Sequence, residues 1–160
     1  MNGILFALTL ATALGAVTVG GVCFGFSALV MPALRRVPAK DAVGVMQAVN
    51  VSAVASLFLP VFTGTALTAL ALGGWAVADW DAGSSGFLVA GAATYVVATF
   101  GLTVAYHVPR NKALDAVTAG SPEADRLWAA YRDEWTRMNH VRALASVVAG
   151  ALLVAGVAAA

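Results

Sequence analysis

Two short stretches of the sequence hold the residue types best suited to chemistry. Residues 128–142 read WAAYRDEWTRMNHVR and include two tryptophans, a tyrosine, an asparagine, a histidine and three arginines. Residues 106–111 read YHVPRN and supply Tyr106, His107 and Asn111. Histidine is a common general base near neutral pH, and amide, indole and guanidinium groups can stabilise negative oxygen. The two stretches therefore indicate either the rim of a site or an anchor at the membrane interface.

Helical spacing indicates which of these side chains point together. At about 100° per residue, five residues of the stretch 128–142 fall within about 40° of one direction, whereas His140 points about 140° away. These five residues, here called the polar–aromatic stripe, are Trp128, Tyr131, Trp135, Asn139 and Arg142. We therefore expect the stripe to face one neighbour and His140 to face another.

The same residues also have a simpler interpretation as parts of a membrane interface. The aromatic members of the stripe fit an interfacial aromatic belt, and Arg142 fits an arginine that reaches toward lipid phosphate. His107 and His140 fit a helix end and a surface position, respectively. Asn139 fits neither interpretation well, because an amide on the same face as an arginine usually has a protein partner.

The composition shows what kind of elements must position these residues. The 160 residues are 61% hydrophobic and 11% charged, with a mean hydropathy of +0.86, whereas a soluble domain carries about 25% charged residues. A membrane-crossing helix needs about 20 apolar residues, and the chain has four such stretches. Backbone groups in lipid must pair internally, and the alternation of barrel strands is absent. We predict an all-α integral membrane four-helix bundle that forms a single domain over residues 1–160.

Breakers and caps place the predicted helices at about residues 3–34, 39–78, 87–108 and 122–159. Pro60 predicts a kink in the second helix, and Pro109 predicts either the end of the third or a bend in it. Ser121 and Pro122 fit the N-cap and the first turn of the fourth helix. Nothing after Pro122 breaks that long helix, so its first turns should extend into the cytoplasm.

The distribution of basic residues predicts the orientation in the cell inner membrane. All nine Lys and Arg residues lie between the first and second helices, or between the third and fourth and at the border of the fourth. The remaining connection contains Asp79 and Asp81 and no base. Because positive residues stay cytoplasmic, both termini should face outside. The N-terminal apolar run exceeds the roughly 7–15 residues of a signal-peptide core, so we expect it to be retained as the first helix.

Polar residues from all four helices are expected to meet near the cytoplasmic face. Arg35 and Arg36 of the first helix and Gln47 and Asn50 of the second join the two stretches described above. Intramembrane polar groups tend to mark sites. The sequence lacks HExxH, paired CxxC and glycine-rich phosphate-loop motifs. No cofactor is therefore predicted, and a transition metal held by His107 and His140 is the weaker alternative. The single cysteine, Cys23, is expected to be a packing residue.

Three segments together resemble the anthrone oxygenase-like family of small membrane proteins. They are VMPALRRVP at 30–38, TYVVATFGLTVAYHVPRNKALDAV at 94–117 and LWAAYRDEWTRMNHVR at 127–142. The resemblance covers roughly residue 20 to the end of the sequence. Many members have Asn-Val-Pro-x-Asn where this chain has His107 to Asn111. That difference either adds a base or indicates a different substrate.

The resemblance implies oxidation of a hydrophobic aromatic molecule with O2 as co-substrate. A few fungal members convert anthrones to anthraquinones without an evident organic cofactor, and most members have no assigned activity. On this expectation a histidine removes a proton from an acidic methylene, and nearby donors stabilise the enolate. The expected catalytic residues are His107, His140, Asn139, Trp135 and Arg142. The expected substrate-binding residues are Trp128, Tyr131, Asn111, Asn50 and Tyr106.

Two other functions stay open from the sequence. One is a metal-dependent membrane enzyme that uses the two histidines as ligands. The other is a non-catalytic protein that binds lipid or quinone, or that assists assembly. The expected partners are a hydrophobic small molecule and membrane lipid, and rows of small residues also permit a homo-oligomer. The net charge of +1 gives no reason to expect nucleic acid.

Overall fold

The computed structural model describes residues 2–160, which contain helices and no strand. The helices are α1 (Gly3–Leu34), α2 (Ala39–Ala55), α3 (Phe58–Ala78), α4 (Ser85–Asp115) and α5 (Pro122–Ala158). Four of them, α1, α3, α4 and α5, are long and apolar enough to cross a membrane. The protein is an integral membrane four-helix bundle with a long last helix, as the sequence predicts.

Side-chain caps begin the first and last helices. The Asn2 side chain accepts a hydrogen bond from the Leu5 N–H at 3.0 Å. The Ser121 hydroxyl accepts from the Ala124 N–H at 3.1 Å, and Pro122 follows in the first turn of α5. The predicted N-cap of the long helix is therefore confirmed.

Asp81 organises the connection between α3 and α4. Its carboxylate accepts hydrogen bonds from the Ser84 N–H, the Ser84 hydroxyl and the Gly83 N–H. These bonds favour the charged form, so they hold the pKa of Asp81 below its ordinary value. The ionised side chain thus fixes the turn that leads into α4.

The predicted second helix is divided into α2 and α3, which corrects the expected position of its kink. The break lies at Ser56 and Leu57, before Pro60. A proline lacks the N–H that would donate to the carbonyl four residues earlier, here that of Ser56, and its ring clashes with that carbonyl. The chain therefore leaves the helix at Ser56 and restarts with Pro60 in the first turn of α3. The Ser56 hydroxyl accepts from the Phe58 N–H at 3.2 Å.

Helix α4 continues to Asp115, so its predicted end at residue 108 is wrong. Two π-helical turns, Thr94–Gly101 and Thr103–His107, precede Pro109. After the second turn the Val108 N–H donates to the Thr103 carbonyl, one residue further back than in an α-helix. Pro109 then lies in the first turn of the following segment, where its missing N–H is tolerated. The helix passes through the proline instead of ending there.

The spanning helices pack through small residues and shared hydroxyl groups. Helices α1 and α5 approach closely at Gly150, where an added Cβ would lie 3.1 Å from a backbone oxygen of α1. The hydroxyls of Thr12 and Thr68 lie 2.9 Å apart, and those of Thr99 and Ser146 lie 3.0 Å apart. Membrane helices associate through such close packing and interhelical hydrogen bonds.

One hydrophobic core lies among the spanning helices, around Phe62, Tyr95 and Ala149, and a second lies at the end of the bundle where α1 and α4 end and α5 begins. Gln47 ties α2 to this end, because its side-chain amide donates to the carbonyls of Leu114 and Val117 at 2.9 Å. The large buried residues of this core are Met31, Val43, Met46, Leu114, Trp128, Tyr131 and Trp135. The first half of α5 is therefore packed against the other helices.

Candidate functional site

A cavity of about 540 Å³ lies where α2 and α3 meet. All five helices contribute to its wall, and most of the lining side chains are apolar. The lining residues suited to chemistry are Asn50, His107, Asn111, Trp135 and Arg142. An apolar pocket with a few convergent polar groups is the usual form of a small-molecule site.

One wall of the cavity, here called the aromatic wall, consists of Phe58, Phe62 and Phe100. Phe58 stacks on Phe62 with ring centroids 5.6 Å apart, and Phe62 stacks on Phe100 at 5.2 Å. Such rings offer a large apolar surface to a flat aromatic ligand. The aromatic wall is not among the residues predicted from the sequence. The i, i+4 spacing of Phe58 and Phe62, which puts both rings on one face of a helix, is the feature that could have indicated it.

Arg142 supplies the fixed charge of the cavity. The residue is 8% exposed, and its guanidinium donates to the Asn139 Oδ1 from Nε and Nη2 and to the Thr103 hydroxyl from Nη1. None of the ion pairs within residues 2–160 involves Arg142. The positive charge is thus held in place by neutral acceptors, and no carboxylate of the described chain neutralises it.

Asn139 lies behind Arg142 and fixes it to α1. Its Nδ2 donates to the Cys23 carbonyl at 2.6 Å and to the Ser27 hydroxyl at 2.7 Å. The guanidinium can only donate and the carbonyl can only accept, so the orientation of the amide is determined. Asn139 is fully buried and does not line the cavity. It therefore positions Arg142, and no local pattern in the sequence indicates its partners on α1.

His107 is buried against the cavity with both ring nitrogens unpaired. The residue is 1% exposed, and neither Nδ1 nor Nε2 makes a hydrogen bond of ordinary geometry within residues 2–160, although the Met138 backbone lies next to the ring. The edge of its ring meets Trp135, with centroids 5.1 Å apart and planes at 79°. Buried polar groups in proteins are nearly always paired. The ring lines the cavity, but protein atoms cover both nitrogens, so a ligand reaches one of them only when the ring or its neighbours move.

Asn111 holds Trp135 in this arrangement. Its Oδ1 accepts from the Trp135 Nε1–H at 3.0 Å and from the Tyr131 hydroxyl at 2.9 Å. The indole can only donate, so the oxygen of the amide must face it. The Tyr131 ring in turn stacks between Trp128 and Trp135, with centroids 5.7 and 6.1 Å away. Asn111 and this stack therefore fix the indole that meets His107.

The polar–aromatic stripe is buried along its whole length, and His140 is exposed, as the helical spacing predicts. The interpretation of the stripe as a belt facing the lipid head groups is therefore wrong. Only Trp135 and Arg142 of the stripe line the cavity, because Trp128 and Tyr131 lie deeper in the second core.

Five predicted site residues do not line the cavity: Trp128, Tyr131 and Asn139 are buried elsewhere in the bundle, and the other two are His140 and Tyr106. His140 is exposed on α5, so the structure does not bring it together with His107. Tyr106 is half-buried, and the guanidinium carbon of Arg110 lies 3.5 Å from the centre of its ring. Within residues 2–160, no group of three or more His, Cys, Asp or Glu residues is placed to hold a metal ion.

A sequence model of the anthrone oxygenase family matches residues 48–152, which is more than half of the chain. The chain belongs to the anthrone oxygenase family. Comparisons with curated proteins and with solved structures gave no match. The region matched to the anthrone oxygenase family extends from the second half of α2 into α5. It contains the whole aromatic wall together with His107, Asn111, Trp135 and Arg142.

Proposed function

We propose that this member of the family is a membrane oxygenase that oxidises a flat, hydrophobic aromatic molecule with O2 inside the cavity. The observation that carries the proposal is that, within the described residues, one cavity is lined by a buried imidazole without a hydrogen bond of ordinary geometry, by a guanidinium without a counter-ion and by the aromatic wall. A neutral aromatic ligand with an acidic C–H and a carbonyl oxygen would give each group a partner.

The first step is removal of a proton from the methylene group of an anthrone-type ligand. A nitrogen of His107, reached when the ring or its neighbours move, accepts the proton, and the electron pair of the C–H bond delocalises onto the carbonyl oxygen as an enolate. Donors fixed in advance stabilise such an oxygen without reorganisation. Arg142 is the donor we assign to this role, because its geometry is fixed by Asn139 and Thr103.

The second step is reaction of the enolate with O2. One electron passes from the enolate to O2, and the radical and superoxide combine to form a C–O bond at the former methylene carbon. Protonation by the His107 imidazolium gives a hydroperoxide. Loss of the remaining C–H proton and of hydroxide then breaks the O–O bond and leaves a new carbonyl. The balance is one anthrone and one O2 to one quinone and one water.

The other residues of the cavity bind and orient the ligand in this proposal. The aromatic wall packs against the face of the ligand, and Trp135 fixes the position of the His107 ring. Asn50 and Asn111 offer polar contacts at the edge of the cavity. His140 takes no part, since it is exposed on the other side of α5.

We also propose that the cavity lies toward the cytoplasmic face of the cell inner membrane. The basic residues that flank α1, α2, α4 and α5 support this orientation, because positive residues stay on the cytoplasmic side. The connection between α3 and α4, together with both termini, would then face outside.

The two histidines of the chain provide a matched test. His107→Gln should reduce the rate at which purified protein in detergent converts emodin anthrone to the quinone by about 10²–10⁴-fold, as expected for a lost general base. His140→Gln should leave the rate unchanged. Quinone absorbance and O2 uptake, corrected for the spontaneous reaction, give the measurement. Equal rates for wild type and His107→Gln would overturn the mechanism. A ligand that co-purifies without turnover would favour a binding protein.

A further inference from the structure

The cavity has an open side, and the residues around that opening are aliphatic. Five aliphatic side chains both line the cavity and are exposed at the surface of the bundle. Together they are here called the mouth. They are Val22, Val54, Leu59, Val104 and Val108. The other exposed lining residues are Ser52 and Ser56, and none of the exposed lining residues is charged.

Along the helices, the mouth lies closer to the middle of the membrane-spanning segments than the basic residues do. Val22 lies about 20 Å from Arg35 along α1, at 1.5 Å per residue. By the same measure Val104 lies about 9 Å from Arg110 along α4, and Val108, at the edge of the mouth, lies about 3 Å from it. All three valines belong to membrane-spanning helices. An aliphatic opening at this depth faces lipid chains, whereas an opening to water would carry polar residues.

The break between α2 and α3 accounts for the opening. Pro60 forces the chain out of the helix at Ser56, and Val54, Ser56 and Leu59 on the two sides of the break all line the cavity. An irregular backbone at membrane depth is tolerated where it borders a cavity. Val54 is 68% exposed and Leu59 is 37% exposed, so this segment forms one side of the mouth.

We infer that the ligand enters the cavity from within the bilayer, through the mouth formed at the α2–α3 break. The inference rests on the proposed function in treating this ligand as the substrate. The ligand class is an aromatic molecule that dissolves in the membrane and carries one acidic or carbonyl oxygen. Its rings pass between the aliphatic side chains of the mouth, and its oxygen reaches Arg142 at the inner side of the cavity.

The single cysteine of the chain provides a test that needs no turnover. Cys23 lines the cavity and is 1% exposed. In phosphatidylcholine liposomes, N-(1-pyrenyl)maleimide dissolved in the membrane should label Cys23 faster than a sulfonated, water-soluble maleimide does. The double variant Val54→Trp, Val104→Trp should slow the pyrenyl reaction at least about five-fold, because indoles of this size fill the mouth. Mass spectrometry measures both rates.

Leu67→Trp is the matched control, since Leu67 is 67% exposed on α3 and does not line the cavity. It should label like wild type. Faster labelling by the sulfonated reagent, an unchanged rate in the double variant, or no labelling of native Cys23 by either reagent would each overturn the inference. A protein that is labelled through the mouth but does not oxidise emodin anthrone would keep this inference and lose the proposed function. A protein that oxidises emodin anthrone but is not labelled through the mouth would support the proposed function and contradict this inference.

Discussion

Arg142 is a buried charge whose hydrogen bonds all go to neutral groups. The guanidinium donates to Asn139 and Thr103, and the carboxylates of the described chain form their ion pairs elsewhere. A charge inside a membrane protein is expensive unless a partner compensates it. A negative oxygen in the cavity would be that partner. Arg142 is therefore expected to favour the enolate over the neutral ligand.

Replacement of Arg142 tests this preference. Arg142→Met should lower kcat for emodin anthrone by about 10²–10³-fold, the usual effect of removing a donor to a developing oxyanion. The kcat of Arg142→Lys should lie between those of the wild type and Arg142→Met, because lysine keeps the charge but not the planar arrangement of donors. Steady-state kinetics would show the loss mainly in kcat, with KM changed less. Arg137→Met, at an exposed position of the same helix, is the control. Wild-type kcat in Arg142→Met would contradict the assignment.

Asn111 gives a stability prediction at the same scale. Asn111→Ala leaves the Tyr131 hydroxyl and the Trp135 N–H without their acceptor, and an unpaired buried donor costs about 1–3 kcal/mol. We expect the free energy of unfolding to fall by about 2–4 kcal/mol for the two donors together. Thermal unfolding in detergent measures the loss. Asn50→Ala breaks a hydrogen bond to Asp115 that is exposed, so it should change stability by less than about 0.5 kcal/mol. Similar melting temperatures for the two variants would contradict the role of Asn111.

At the scale of the helices, the sequence predicts what local physics decides. Ser121 and Pro122 mark the start of α5 because an N-cap and its first turn involve neighbouring residues only. The two prolines lead to opposite errors: at Pro60 the sequence predicts a kink where the helix breaks upstream, and at Pro109 it predicts an end where the helix continues. The steric effect of Pro60 acts four residues upstream, so the break falls at Ser56. Pro109 follows a π-helical turn that shifts the hydrogen bonds, and periodicity in the sequence does not reveal such a turn.

The contact between α1 and α5 gives a prediction at this scale. A Cβ added at Gly150 would lie 2.7 Å from the Val17 side chain and 3.1 Å from the Ala13 carbonyl oxygen. Gly150→Ala should therefore lower the free energy of unfolding by about 1–3 kcal/mol through overpacking. Gly21→Ala on α1 is the control, because its added Cβ meets nothing within 4 Å. Thermal unfolding in detergent compares the two. A Gly150→Ala protein as stable as Gly21→Ala would show that the helices separate easily.

At the scale of the whole molecule, the sequence predicts the side of the site that lies on α5 and does not predict the side formed by α1, α3 and α4. The polar–aromatic stripe follows from the periodicity of a single helix, and its burial agrees with that periodicity. The aromatic wall and the Cys23 carbonyl lie on α3, α4 and α1. Their meeting with Arg142 depends on which membrane helices pair, and no local pattern specifies that pairing. The exposure of His140 follows from the stripe, but the unpaired nitrogens of His107 do not.

The charge distribution of the molecule agrees with the proposed orientation. The basic residues flank the end of α1, the start of α2, the end of α4 and the first half of α5. Arg35 forms an ion pair with Asp133 at 2.8 Å, so the end of α1 and the first half of α5 meet at one end of the bundle. That end also carries the second hydrophobic core. A cytoplasmic location for it would put the cavity near the cytoplasmic leaflet.

Single cysteines placed at opposite ends of the bundle test this orientation. In a Cys23→Ser background, Trp80→Cys lies in the connection between α3 and α4, and Thr118→Cys lies in the connection between α4 and α5; both positions are exposed. A membrane-impermeant maleimide should label Trp80→Cys on intact cells, because positive residues keep the other connection inside. The same reagent should label Thr118→Cys only after the cells are permeabilised. The reverse pattern would place the basic end toward the outer leaflet and would overturn the proposed orientation.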